Sequence, residues 1–529
     1  MYESAFGRYE SRFFILEMTQ MLQINNLTIT LSKDLRTIIK GFTFTLNKGD
    51  RAVIIGEEGN GKSTLLKLIY DERLVSGYVE YTGGIAKNNT RLGYLAQELT
   101  AEQKNQSVFG FCSGAPGFYD MSPKELADIA FQLGLSPDLF YSDQPVGTLS
   151  GGEKVKLQFA GILMSGPGVL LLDEPSNDID IETLEWLENF INTCGLPVLF
   201  VSHDETLIER TANVIIHLEQ VRRKTMPRYT VERMAYGQYA DERLSKLTRQ
   251  EQLARKEQSE YEKQQEKFRR IQARVEHEQN AISRGDPHGG RLLKKKMKAV
   301  KSLERRFEKE HEDMTQLPDV EEAIMVKFGG EIGVPNGKTV LDLSLDRLCI
   351  EDRVLSENIK LAVTGAEKIC IIGRNGVGKT TLLKIIARSL LERTDLKAAY
   401  MPQNYEDLLD FGLTPVDFLA ATGRKDEITR ARTFLGSVKY TADEMTHRIS
   451  ELSGGQKAKL LLLKMILDGC NVLILDEPTR NFSPISNPVI RNVLKSYGGA
   501  IISTSHDRKY ISEVCGKLYR LTDTGLVLL

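Results

Sequence analysis

The sequence predicts an α/β protein made of two tandem copies of one module, joined by an α-helical coiled-coil hairpin. Three observations carry this reading. Four short segments recur in the same order in each half of the 529 residues. In each half a glycine-rich turn follows an apolar, strand-like run and opens an amphipathic helix, which is the α/β pattern. Between the halves, from about 239 to 320, glycine is scarce outside one spot and Lys, Arg, Glu and Gln dominate, as on solvated helices.

The recurring segments are GEEGNGKST at 56–64 and GRNGVGKTT at 373–381, LSGGE at 149–153 and LSGGQ at 452–456, VLLLDEP at 169–175 and VLILDEP at 472–478, and VSHD at 201–204 and TSHD at 504–507. Their spacing repeats as well. Ser150 to Asp173 and Ser453 to Asp476 are both 23 positions, and Asp173 to His203 and Asp476 to His506 are both 30. The front halves differ, with 35 positions from Lys62 to Gln97 but 24 from Lys379 to Gln403. The first module therefore has about eleven additional residues around 70–90, expected to form a loop. The expected domains are an extension at 1–20, a first module at 21–238, the hairpin at 239–320 and a second module at 321–529. The opening MYESAFGRYESRFFILEMTQ has early acids and no signal-type apolar core. It is either a floppy extension or lies upstream of a start at Met18 or Met21.

A hydrophobic fraction of 41% lets each module bury a core, and a net charge of −2 gives no bulk attraction to nucleic acid. No apolar run reaches the ~20 residues needed to span a bilayer, so no membrane domain is expected in the chain. The cysteines Cys112, Cys194, Cys349, Cys370, Cys470 and Cys515 form no CxxC or zinc-type spacing. They read as reduced thiols of a cytoplasmic protein.

Both glycine-rich stretches fit G-x-x-x-x-G-K-[ST], with strands at Arg51–Ile55 and Lys368–Ile372 before them and helices at 64–70 and 381–387 after them. Gly56, Gly59 and Gly61, and Gly373, Gly376 and Gly378, let the backbone curl so that N–H groups point inward, and each helix adds its positive end. Such a cradle is expected to hold ATP with Mg2+. Lys62 and Lys379 would reach the β- and γ-phosphates, Ser63 and Thr380 would offer hydroxyls to the metal, and Thr64 and Thr381 complete the two motifs. Glu57 and Glu58 are unusual beside phosphates and are expected to turn their side chains to solvent.

Asp173 and Asp476 end apolar runs and would hold Mg2+ directly or through water. Glu174 and Glu477 would orient and activate the attacking water as general bases. His203 and His506 follow the apolar runs Val198–Val201 and 500–503, where α/β sheets hold ligands, and would sense or stabilise the γ-phosphate. Gln97 and Gln403, in turns after short strands within a duplicated Tyr-x-x-Gln pattern, would touch Mg2+ or the lytic water. No aromatic residue stands out as a platform for adenine.

LSGGE and LSGGQ resemble the signature motif of ABC ATPases. In that family two modules sit head to tail, with ATP between the P-loop of one and the signature of the other. The resemblance implies that Lys62 faces Ser453, Gly454 and Gly455, that Lys379 faces Ser150, Gly151 and Gly152, and that one monomer pairs its own two modules. Asp180 follows the first Asp-Glu-Pro, but Ser483 takes its place after the second. The two sites can therefore fire unequally.

In the hairpin segment, Phe268, Ile271 and Val275, and then Leu293, Met297, Val300, Leu303 and Phe307, recur three and four apart as a narrow apolar seam. The composition at 283–290 is that of a loop. The incoming arm would span ~60 Å if helical. Its tip is basic, and Arg284, Arg291, Lys294, Lys295, Lys296 and Lys298 suit an RNA phosphate backbone. Tandem ABC modules with such a hairpin resemble the ABC-F family from Met21 onward. The resemblance implies binding to the ribosomal E site with ATP, the linker reaching toward P-site tRNA, rRNA and the peptidyl transferase centre. DEPTRNFSP at 476–484 and SRGDPHGGRLLKKKMKA at 283–299 are similar to the branch that protects ribosomes from lincosamides, streptogramins A and pleuromutilins. Relief of stalled translation without drug resistance, and the ATP-binding subunit of a transporter, stand as alternatives.

Overall fold

The computed structural model describes residues 20–221, 226–281, 295, 298, 302, 333–350, 353–404, 408–420, 422–438 and 440–529. Residues 1–19, the loop expected at 283–290, the return-arm seam residues and the tip residues Arg284, Arg291, Lys294 and Lys296 lie outside it. Contacts divide the chain into two units, one holding both modules and the other residues 237–320.

The strands of the first module are β1 (Gln20–Leu31), β2 (Thr37–Asn47), β3 (Arg51–Ile55), β4 (Val79–Ala86), β5 (Leu92–Leu95), β6 (Val169–Asp173), β7 (Val198–Val201), β8 (Val214–Gln220) and β9 (Met226–Glu232). Its main sheet has the order β5-β6-β7-β3-β8-β9 and is parallel except for the edge strand β9. Every residue of β6 and β7 is buried, which explains why their sequences are almost unbroken apolar runs rather than alternating ones.

The second module repeats this order. Its strands are β10 (Thr339–Ile350), β11 (Arg353–Thr364), β12 (Lys368–Ile372), β13 (Ala398–Met401), β14 (Val472–Asp476), β15 (Ala500–Thr504), β16 (Lys517–Thr522) and β17 (Gly525–Leu528). They are arranged β13-β14-β15-β12-β16-β17. In both sheets the strand before the glycine-rich turn lies beside the strand before the histidine, which lies beside the strand that ends in Asp-Glu. Three parallel neighbours thus release their chemistry at one edge, the ligand-binding edge of an open α/β sheet.

The additional residues around 70–90 are not a loop. A short turn at Glu72–Leu74 leads into β4, which pairs antiparallel with β1 from Leu31 opposite Val79 to Gln23 opposite Ala86. The first module therefore carries a three-stranded antiparallel sheet, β2-β1-β4, where the second has the hairpin β10-β11. Most of β4 is exposed, so it lacks the apolar alternation that marks a strand in sequence.

The helices that matter to the site are α1 (Lys62–Tyr70), α2 (Gly151–Met164), α3 (Ile181–Thr193), α4 (Glu205–Thr211), α5 (Tyr236–Ala281), α6 (Lys379–Leu391), α7 (Gly454–Asp468), α8 (Asn487–Ser496) and α9 (Arg508–Val514). The apolar faces of α1 and α6 pack on their sheets, Leu66 with Ile54 and Leu171, and Leu383 with Ile371 and Ile474. The 46-residue α5 is polar on most of its surface and is laced by ion pairs one turn apart, such as Glu251–Arg255 and Glu266–Arg270. Such pairs add about 0.2–0.5 kcal/mol each. Lys295 and Lys298 are helical and exposed. Among the described residues no helix is long and apolar enough to cross a membrane.

The two modules face each other across an ionic seam. Arg491 of α8 is 3% exposed, and its guanidinium meets both carboxylate oxygens of Glu205 in α4 at 2.5 and 3.2 Å. Lys509 of α9 reaches Glu205 at 3.2 Å and also pairs with Glu209. Arg508 pairs with Glu188 and approaches Asp204 at 3.5 Å. In this network every cation that crosses the seam belongs to the second module and every acid it meets there to the first. Arg491→Met would leave Glu205 buried with Lys509 as its one remaining cation, an expected loss of ~3–5 kcal/mol. The double variant with Glu205→Leu should recover most of that loss in chemical denaturation.

Candidate active site at the module seam

The glycine-rich turn after β3 ends with Gly61 in the left-handed conformation, φ 85, and α1 starts at Lys62. The turn after β12 ends with Gly378, φ 102, before α6. A Cβ on Gly378 would lie 2.9 Å from Leu348 and Leu355, and one on Gly56 would lie 2.2 Å from the Leu218 carbonyl. These glycines are therefore required both by conformation and by space. Lys62 folds back onto its own loop, donating to the carbonyls of Gly56 (2.7 Å) and Glu57 (3.1 Å). Lys379 does the same at Gly373 (2.8 Å) and Arg374 (3.1 Å), and burial lowers its pKa.

The signature helices begin with a shared device. Ser150 caps α2, accepting from the Glu153 amide while the Glu153 carboxylate accepts from Ser150 N–H. Ser453 and Gln456 make the same reciprocal pair at the start of α7. This capping box explains the Ser-Gly-Gly-Glu/Gln pattern. The glycines admit a neighbouring loop, since a Cβ on Gly151 would lie 2.1 Å from the Asp178 carbonyl and one on Gly455 would lie 2.8 Å from the Asn481 carbonyl.

Across the seam, the P-loop of the second module meets the signature of the first in a cavity of about 490 Å³. Lys379, Thr380, Gln403, Asp476, Glu477 and His506 line it from one side, and Gly151, Asn177, Asp178 and His203 from the other. Asn375 Nδ2 donates to the Asp178 carbonyl at 2.5 Å and Arg480 pairs with Asp178 at 2.9 Å. No local pattern singles out Asn375 or Arg480, because their partners lie about 200 to 300 residues away. Ile350 also lines this cavity.

The first P-loop meets the second signature differently, and here the expectation for Glu57 and Glu58 fails. Neither turns to solvent. Glu57 is buried, and its Oε1 accepts from the hydroxyls of Ser483 (2.8 Å) and Ser486 (2.6 Å), with Lys459 Nζ 3.9 Å from its other oxygen. Burial pushes the carboxyl up, but Lys459, Ser486, Ser483 and Lys62 outweigh it and hold it below the usual range. Glu58 Oε2 accepts the Gly455 amide at 2.8 Å. The contacts are satisfied only when both modules are in place, so reading one module alone could not reveal them.

Asp173 Oδ1 accepts from the Ser63 hydroxyl at 2.7 Å, and its other oxygen from Tyr94 at 3.2 Å. Asp476 Oδ2 is buried with no hydrogen-bond partner among the described residues, and Thr380 lines the same cavity. A hydroxyl beside a carboxylate, with an acceptor oxygen to spare, fits a hard cation such as Mg2+, which keeps water and phosphate oxygens in its remaining positions. Gln403 reaches the cavity; Gln97 is exposed after β5.

Glu174 and Glu477 both have positive φ, 51 and 52, an uncommon conformation held at the same place in each module. Their surroundings differ. His203 joins Glu174 Oε1 (3.0 Å) to the carbonyl of Phe482 in the other module (2.8 Å). Burial disfavours both charges, yet their mutual attraction prevails, lowering Glu174 and raising His203. His506 Nε2 is 3.7 Å from Glu477 Oε1. Burial pushes Glu477 up to about 7 against the pull of the His506 amide, and burial with Lys379 nearby holds His506 down to about 4.

The family model of the ABC transporter matches residues 39–177 and 356–480, one stretch in each module. The chain carries two ABC ATPase domains. It is 26% identical over 546 residues to ABC transporter F family member 2 of Arabidopsis thaliana, an alignment covering 93% of this chain and 75% of that one. It is 28% identical over 529 residues to the ribosome protection protein VmlR of Bacillus subtilis strain 168, covering 96% and 88%. It also shares its fold with the crystal structure of the complex of archaeal ribosomal stalk protein aP1 and archaeal ribosome recycling factor aABCE1. The TM-score is 0.56 at 17% identity, with 95% of this chain and 89% of that chain covered. The two ABC domains bind ATP, and the protein is an ATPase. Gly378→Ala should weaken ATP binding at the second P-loop about tenfold or more, since left-handed geometry costs a Cβ-bearing residue ~1–2 kcal/mol before any clash. Equilibrium titration with a fluorescent ATP analogue would measure it.

Proposed function

We propose that this protein is an ABC-F ATPase that binds the ribosomal E site with ATP and protects the ribosome from antibiotics of the lincosamide, streptogramin A and pleuromutilin type. The observation that carries the reading is the pairing of two ABC domains inside one chain, each nucleotide site built from both, with a 46-residue polar helix inserted between them. The similarity to VmlR, a ribosome protection protein, supports the ribosomal partner. The resemblance of the 476–484 and 283–299 stretches supports the resistance branch. Lys294, Lys295, Lys296 and Lys298, with Arg284 and Arg291, would meet rRNA or P-site tRNA.

At each site the P-loop lysine would hold the β- and γ-phosphates while the opposite signature amides receive the γ-phosphate. Ser63 with Asp173, and Thr380 with Asp476, would hold Mg2+, with Gln97 and Gln403 beside it. Bound there, the metal neutralises charge on the β- and γ-phosphates. Glu477, poised near neutrality, would take the proton of the attacking water as its oxygen bonds to the γ-phosphorus and the bond to the β-phosphate oxygen breaks, releasing ADP and phosphate. Glu174 would play this part at the first site. His203 and His506 would fix those carboxylates and sense the γ-phosphate. ATP would thus draw the domains together, and hydrolysis would let them part.

The double variant Glu174→Gln, Glu477→Gln should lose turnover by about a hundredfold or more, the range for removal of a general base. It should accumulate on ribosomes in sucrose gradients when ATP is present. Sedimentation no greater than that of the parent would sink the ribosomal reading, and recovery with membranes instead would favour a transporter subunit. Expression in a drug-sensitive bacterium should raise the inhibitory concentrations of the three drug classes named. Unchanged values alongside intact ribosome binding would favour relief of stalled translation.

A further inference from the structure

The two P-loops differ at one place in a way that the rest of the seam accommodates. Glu57 and Glu58 stand where the second loop has Arg374 and Asn375. Two negative charges thus replace one positive, a difference of three. On the opposite side the substitution runs the other way, with Ser483 standing where the first domain has Asp180. An acid has in effect moved from the loop after Asp-Glu-Pro to the P-loop that it faces. Glu57 is received by the Ser483 and Ser486 hydroxyls and by Lys459, an arrangement that an aspartate at 483 would oppose by like charge.

Glu58 makes the decisive contact. Its carboxylate accepts the amide of Gly455 at the start of the 15-residue α7. A Cβ placed on Gly454 would lie 3.2 Å from both Glu58 oxygens, so the carboxylate lies against the opening of that helix. A helix N-terminus attracts one anionic group to its unpaired N–H donors. In the second site the equivalent Asn375 is neutral and turns instead to the Asp178 carbonyl, so no carboxylate of the P-loop takes the matching place at α2.

We propose that Glu58 takes the seat of the terminal phosphate at the first site, so that this site closes on a nucleoside diphosphate and admits a triphosphate only by displacing Glu58. The proposal rests on the ATPase reading and assigns unequal tasks to its two halves. The first site retains ADP and takes ATP only as Glu58 yields; the second, where Asn375 turns to the Asp178 carbonyl and no P-loop carboxylate takes that seat, carries the turnover.

The test uses the full chain with Lys379→Ala, which confines binding to the first site, titrated with ADP and with ATP in the presence of Mg2+. The parent of this pair should bind ADP about tenfold more tightly than ATP, a difference of ~1.4 kcal/mol. Adding Glu58→Gln, close to the same volume, or Glu58→Asn, the residue of the second loop, should raise ATP affinity about tenfold and leave ADP affinity within about twofold. Two outcomes overturn the proposal: ATP tighter than ADP in the parent, or ADP and ATP shifting by the same factor in both variants. ADP binding by the Lys379→Ala chain leaves the ATPase reading standing whichever way the ratio falls, whereas failure to bind either nucleotide removes both readings.

Discussion

The first N–H groups of an α-helix have no acceptor within their own helix, and the seam of this protein is organised around four such helix starts. Two open at Lys62 and Lys379 after glycine turns that aim further amides in the same direction. Two open at Gly151 and Gly454, where Ser150 with Glu153 and Ser453 with Gln456 supply part of what is missing. What remains needs anions, and ATP is polyanionic. The parallel sheets bring Asp173, Glu174 and His203, and Asp476, Glu477 and His506, to the same edge. The groups proposed to bind phosphate, hold the metal and accept the proton thereby gather at one edge of each sheet, though no two of the segments that supply them are adjacent in the chain.

Much of this was legible in the sequence because the chemistry occurs twice. A glycine-rich turn or an Asp-Glu pair alone is a weak signal; the same spacing on both sides of a polar segment is a strong one. The apolar runs of β3, β6, β7, β12, β14 and β15 were legible because both faces of those strands are covered, which leaves their residues no choice. What escaped was set by partners far away. Nothing near Glu57 or Glu58 in sequence announces Ser483, Ser486 or Gly455, which lie some 400 positions on, so the local expectation of solvated acids was reasonable and incorrect. The strand β4 escaped for the opposite reason, since it is held by backbone pairing with β1 and buries too little to leave a pattern.

The duplicated machinery is not duplicated in its electrostatics. His203 bridges Glu174 to the opposite domain through the Phe482 carbonyl, and each favours the charged form of the other. His506 stands farther from Glu477, and burial lifts that carboxyl to about 7. The Asp180 and Ser483 difference belongs with this set. It was visible in sequence as an unexplained departure, and the seam supplies its reason, because a second acid there would face Glu57. Asymmetry at the P-loops and at the loops after Asp-Glu-Pro is thus one coupled arrangement rather than two separate substitutions.

The ionic seam outside the nucleotide sites has a consequence for assembly. Glu188, Asp204, Glu205 and Glu209 lie on one domain, with Arg491, Arg508 and Lys509 on the other. A pair of identical first domains would set acid against acid, and a pair of identical second domains base against base. Only the unlike pairing is neutralised. Each domain therefore rejects its own twin and selects an unlike partner, the kind that the same polypeptide supplies.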